Sequence, residues 1–293
     1  MRPSAIRSAF TSPSADADLS DIDDGTYPTP LPTIELSPVE LSAALERMSS
    51  RTTPDPHGIT TAVLRRVWPS IAALFGRIVA PGLRCGHYPR AFKVSHTVVL
   101  RKAKRGDYSL PKSWRPIDLL PRLSLIWDSA LVRRLTFFAE RHGLLPDFHF
   151  GGCPGRSTSD ALLAVTERVH RAWRAGQAAA LFSLEIQAYF PWMHSRRISH
   201  VLRTLRLPEH VAAFTRSWLA QRWVAYFIGS VLAAPRLRPD GCPHGSALSV
   251  ILAIFYNSSL LCDIAAAHPD LHPTGYFDDV GILAIAPNVE AAA

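Results

Sequence analysis

Lysine is nearly missing from this chain: of 32 basic residues only Lys93, Lys102, Lys104 and Lys112 are lysine, against 24 acidic residues and a net charge of +8. The rest are arginine, whose planar fork of donors suits phosphate better than a point charge does. The excess reads either as a surface for a polyanion or as an arginine-rich solvated surface. Cysteine is scarce as well: Cys85, Cys153, Cys242 and Cys262 stand far apart with no C-x-x-C spacing. That argues against a zinc site, supplies no disulfide framework and fits a reducing compartment. The chain opens on no long apolar run of the kind a signal peptide needs, and its most apolar segment, 248–256, is too short to span a bilayer. An intracellular protein without a membrane partner is expected. There is no internal repeat and no G-x-G-x-x-G, Walker or G-x-S-x-G motif, so the classes those motifs mark find no support.

What is present is enough apolar sequence to fold. Hydrophobic residues make up 47% and charged residues 19%, sufficient for one large core or two modest ones. Residues 1–35 differ: rich in Ser, Pro and Asp, with two arginines against six acids, they predict a disordered tail. Order is expected from Leu36, where Ser37, Pro38 and Glu40 form a capping box and Leu41, Ala44, Leu45 and Met48 recur at helical spacing. Helical pattern follows over 59–68 and 71–78, stopped near Pro81 and Gly82; a strand is expected at 96–100 and a basic loop over 101–116. Helices are then predicted around 127–138 and over 157–175, a strand at 179–186, helices at 196–205 and 209–221, a strand at 224–228, and a buried helix at 246–257. The last element, 275–285, is apolar on both sides of Asp278 and Asp279 and reads as a hairpin with the two acids at its tip. The fold class is α+β.

Three carboxylates stand out. Glu185 ends an apolar run at SLEIQ, and Asp278 and Asp279 share the hairpin turn. Acids brought from separate strands are the hard oxygen ligands that divalent ions need, and two such ions are what nucleotidyl transfer uses. A DD turn is equally a solvated turn, and Glu185 equally a strand-end charge, when each is taken alone.

Several segments, read in order, carry more. TPDPHGI (53–59) resembles APGPDGI, and DYSLPKSWRPIDLLP (107–121) is similar to a basic fingers loop. FGGCPGRSTSDALL (150–163) resembles FGFRPGRSTTDALL, and SLEIQAYF (183–190) resembles SLDVKGAF. GCPHGSALSVIL (241–252) resembles GxPQGSPLSPIL, and YFDDV (276–280) is similar to YxDDV. In that order and spacing, residues 37–285 resemble the reverse transcriptase domain of non-LTR (LINE-type) retrotransposons.

The resemblance implies a right-hand polymerase. A fingers-like region would cover 36–176 and a palm 177–293, with a small antiparallel sheet packed on helices and ending just past the FDD hairpin; the thumb and the endonuclease of the parent polyprotein would be absent. It implies an RNA-directed DNA polymerase using two Mg²⁺ ions (Mn²⁺ as a substitute), deoxynucleoside triphosphates, an RNA template and a DNA primer, in the nucleus. Glu185, Asp278 and Asp279 take the catalytic, metal-binding positions. Lys102, Arg115, Phe190, His244 and Gly245 take nucleotide-binding positions, Phe190 being the bulky residue set against a ribose 2′-hydroxyl. Phe190 as a plain core side chain and Lys102 as a solvated loop lysine are the alternatives.

Departures from the pattern fall on functional places. Glu185 replaces an Asp, Pro191 a second acid, His244 a Gln, Cys153 an Arg and His57 an Asp, while Ala247 and Val250 replace prolines. They predict weakened or absent catalysis. A non-catalytic RNA/DNA-binding remnant of a retroelement, and a fragment with no function whose uncovered apolar surface favours aggregation, are the other two readings.

Overall fold

A computed structural model describes residues 18–22, 25–103, 107–110, 113–186, 189–228, 231–238 and 241–292. The chain forms two compact units interleaved in sequence, the first from Met1–Leu135 with Phe190–Ser249 and the second from Thr136–Tyr189 with Val250–Ala293.

The first unit opens with α1 (Pro38–Arg47), started by the Ser37–Glu40 capping box with Pro38 at its first position. Next comes α2 (Thr61–Arg84), one continuous helix where the sequence predicts two. Pro69 and Pro81 lie inside it on its exposed side. Leu64, Trp68, Phe75, Val79 and Leu83 keep one buried face throughout, and that burial outweighs the local cost of the prolines.

Strands β1 (Val94–Arg101) and β2 (Trp114–Leu119) are antiparallel, with Arg101 opposite Trp114. Much of the expected basic loop is therefore the end of a hairpin. Helix α3 (Arg122–His142) begins in this unit and ends in the second. After the short α5 (Tyr189–Trp192; α4, Thr158–Arg174, and β3, Ala178–Glu185, belong to the second unit), α6 (Ser195–Thr204) and α7 (Glu209–Leu219) lead to β4 (Arg222–Ile228), β5 (Val231–Leu232) and β6 (Arg236–Arg238). The sheet runs β2-β1-β4-β5 with β6 also on β4, and β1 and β4 are parallel. Tyr88, Trp127 and Phe214 pack with ring centroids 5.2–5.5 Å apart at its core.

The described part of the tail, for which the sequence predicts disorder to residue 35, makes contacts with the rest of the first unit. Ile22 and Ile34 are buried, the Leu31 amide donates to the Arg206 carbonyl at 2.8 Å, Arg206 Nε donates to the Thr29 carbonyl at 3.0 Å, and Asp21 pairs with Arg197. Average composition hides two isolated isoleucines, and neighbouring helices supply the partners that an extended backbone lacks by itself. Residues 1–17, 23 and 24 lie outside the described residues.

The second unit contains α4 (Thr158–Arg174), capped by Ser157 and Asp160 and followed by Gly176 at φ 71°. It also holds β3 (Ala178–Glu185), the hairpin β7 (Leu271–Tyr276) and β8 (Asp279–Ala286), and a last turn α9 (Val289–Ala292). The sheet is wholly antiparallel in the order β3-β8-β7, and the mixture of helices and sheets is consistent with an α+β class. Helix α8 (Ala247–Ala267) enters this unit from the first. It runs ten residues past the expected end and is long and apolar enough to cross a membrane by length and composition, which corrects the reading of that segment as too short. Here Leu248, Ile251, Leu252, Ile254, Phe255 and Leu261 are buried in protein.

Candidate active site

The hairpin turn is built under strain. Tyr276 pairs with Asp279, leaving Phe277 and Asp278 as the two turn residues, and Phe277 sits at φ 55°, the left-handed region that favours glycine. Two neighbours hold it there. Buried Asn257 on α8 donates from Nδ2 to the Phe277 carbonyl at 2.9 Å. Gly151 leaves room for the turn: a Cβ there would stand 2.4 Å from the Phe277 amide nitrogen and 2.8 Å from the Tyr276 carbonyl carbon. Strain of this kind persists only where the surroundings over-determine it.

The turn sets the acids. Glu185, the last residue of β3, lies directly opposite Asp279, the first of β8, so both project from the same face at the same end of the sheet. Asp278 is the neighbouring turn residue. Burial, then the charges of Asp278 and Glu185, raise the Asp279 carboxyl above its ordinary value of 3.8. All three donors are hard oxygens suited to a divalent cation, and a cation would relieve the repulsion that Asp279 reports. Among the described residues, however, no three His, Cys, Asp or Glu side chains come close enough to form a ready metal cage. The acids have the right chemistry without a closed geometry.

A second group lies in the first unit. The Phe190 ring meets the His244 ring edge-on at 5.5 Å between centroids, and the Cys242 amide donates to the Phe190 carbonyl at 2.8 Å. Gly241, at φ 88°, lies against Pro191, where a Cβ would stand 2.4 Å from the Pro191 carbonyl oxygen. The other side of the loop rests on Asp118, a residue of β2 to which the sequence drew no attention. Its carboxylate, fully buried, accepts from the Thr97 hydroxyl, from Arg238 at 2.9 Å and from the His244 amide at 2.8 Å; its own amide donates to the His244 carbonyl at 2.7 Å. Gly245, at φ 118°, passes so close that a Cβ would stand 2.7 Å from the Asp118 carbonyl oxygen. Burial, with Arg238 adding to it against the charge of Asp118, lowers the pKa of His244 below its ordinary value and so favours the neutral ring.

Lys102 and Arg115 form a third group at the end of the β1–β2 hairpin. Arg115 faces Leu100 and the Lys102 amide donates to the Ser113 carbonyl, so their register puts the two cations on one face. Arg101 lies on the other, over Tyr108 and Trp114 at 5.1 and 5.4 Å. Lys104 lies outside the described residues. Arg156 donates to the Pro146 and His149 carbonyls at 2.7 and 2.6 Å and braces its own loop.

Residues 100–290 match the family described as reverse transcriptase (RNA-dependent DNA polymerase). Among curated proteins, the chain is 25% identical over 250 residues to the probable RNA-directed DNA polymerase from transposon BS of Drosophila melanogaster, covering 83% of this chain and 27% of that protein. It is 26% identical over 238 residues to the retrovirus-related Pol polyprotein from type-1 retrotransposable element R1 of Bradysia coprophila, covering 81% and 23%. The transposon TX1 149 kDa protein of Xenopus laevis is 26% identical over 255 residues, covering 84% and 19%. The chain thus spans about a quarter of the length of the curated relatives it matches.

Proposed function

The chain belongs to the reverse transcriptase (RNA-dependent DNA polymerase) family, with relatives among the non-LTR retrotransposons, and from that premise we propose that it carries the nucleotide-addition site of such an enzyme in a weakened form. The observation that carries the reading is Glu185 opposite Asp279 beside Asp278, at one end of a three-stranded sheet.

In the reaction, a primer 3′-hydroxyl oxygen attacks the α-phosphorus of a deoxynucleoside triphosphate, the new phosphodiester forms, and pyrophosphate leaves. Glu185, Asp278 and Asp279 would hold the two divalent cations, which when bound sharpen the attacking hydroxyl and stabilise charge on the leaving group. Lys102 and Arg115, cations on one face of their hairpin, are suited to the triphosphate by charge-assisted contacts. Phe190, backed by His244, selects the deoxy sugar by bulk. The β2–β1 hairpin belongs to the fingers and the β3-β8-β7 sheet to the palm.

Glu185 is the weak point. Its extra methylene carries the carboxylate outward by about 1.5 Å, and a misplacement of about 1 Å can cost on the order of a hundredfold in rate. Primer extension on an RNA template tests the reading. Synthesis with Mg²⁺ should be weak, Mn²⁺ should restore part of it, Glu185→Asp should raise it by about tenfold or more, and Asp279→Asn should remove it. Synthesis indifferent to Asp279→Asn would sink the assignment. The two cations on one face of the β1–β2 hairpin also suit a second reading, a nucleic-acid-binding remnant, which predicts salt-dependent binding of an RNA/DNA hybrid and no extension with either ion.

A further inference from the structure

We infer that the buried Asp118–Arg238 pair sets sugar selectivity, by fixing the 241–246 loop so that His244 backs Phe190; this rests on the nucleotide-addition reading above. Asp118 and Arg238 are positioning residues and touch no nucleotide themselves.

The loop has two anchors. On one side, Gly241 and Cys242 lock onto the backbone of Pro191 and Phe190. On the other, Asp118 takes the His244 amide on its carboxylate and gives its own amide to the His244 carbonyl, so residue 244 is held by both of its peptide groups. Arg238, 11% exposed, neutralises the carboxylate and holds its orientation with a bond at 2.9 Å. The His244 ring gains no such anchor at Nε2, which is buried without a hydrogen-bond partner among the described residues. Its ring position therefore follows its backbone, and its backbone follows Asp118.

A steric gate discriminates by fractions of an ångström. A Phe190 ring whose backing can recede admits a ribose 2′-hydroxyl, and the effect reads out as lost discrimination more than as lost binding. A role confined to stability would weaken both sugars alike.

The test uses the full chain bound to an RNA template and DNA primer that presents a template uridine, with dATP and ATP as probes. The variants are Asp118→Asn and, because that change strands a buried arginine at a cost to folding, Asp118→Asn/Arg238→Met. Hydrogen exchange at residues 244–246 should accelerate by about tenfold or more in either folded variant. The preference for dATP over ATP should fall by about tenfold, with hybrid binding unchanged. Unchanged discrimination in the double variant, with the unaltered chain binding dATP, overturns this inference alone. No dATP binding by the unaltered chain overturns the functional reading and this inference with it.

Discussion

At the scale of single residues, the acids show what the site costs the fold. Asp279 has its pKa raised in the folded chain by burial and by Asp278 and Glu185, so the folded state holds its proton more tightly than the unfolded state. Stability attributable to this group therefore falls as pH rises above about 3.8, and the penalty is complete above its folded pKa. Asp279→Asn removes the penalty. The variant should melt about 1–2 °C above the unaltered chain at pH 7, and the gain should vanish near pH 3, where both states of Asp279 are protonated. A thermal scan at the two pH values checks this; a gain that persists at pH 3 would mean that the carboxylate charge is not its origin. The acids were legible because an apolar run ending in Glu185 and an apolar arm beginning at Asp279 each announce a strand end. Their supports were not. Asn257, Gly151 and Asp118 act through a carbonyl, a missing Cβ and an amide, and no spacing along the chain marks such contacts.

Among the elements, the amphipathic helices and the FDD hairpin could be read directly, since one buried face repeats at a period the sequence displays. Short strands could not. Residues 231–232 and 236–238 are strands only because β4 is there to pair with them, and β1 joins β4 in parallel across more than a hundred residues. The error over α2 runs the opposite way: proline chemistry predicted a break that tertiary packing overrode. Pro69 is exposed, in the helix interior, and donates no hydrogen bond to the preceding turn. Alanine is favoured over proline by about 3 kcal/mol in such a position, and the looser unfolded chain returns roughly 1 kcal/mol of that. Pro69→Ala should therefore raise stability by about 1–2 kcal/mol in denaturant unfolding. A loss of stability would show that the packing of Trp68 depends on the bend the proline imposes.

For the whole molecule, the number of arginines is a poor measure of nucleic-acid binding, because several of them are committed to partners within the chain. Arg238 is committed to Asp118, Arg203 to Glu209, Arg197 to Asp21, Arg134 to Glu40 and Arg171 to Glu167. Arg222 is buried and donates to the Trp218 carbonyl. Lys102 and Arg115 differ: they share a face at a hairpin end, and neither forms an ion pair with a described residue. Each phosphate a protein neutralises releases counterion and contributes about 0.7–0.9 to the slope of log affinity against log salt. Replacing both Lys102 and Arg115 with glutamine should thus flatten the slope for an RNA/DNA hybrid by about 1.5 while leaving the melting temperature nearly unchanged. Arg156→Gln should do the reverse. It removes the donors that brace the Pro146 and His149 carbonyls, so stability should fall by about 1–3 kcal/mol with the slope intact. The comparison separates cations that meet phosphate from cations that hold the chain together, which net charge cannot do. If the double variant kept the full slope, the hairpin would be a solvated surface and the polyanion would bind elsewhere.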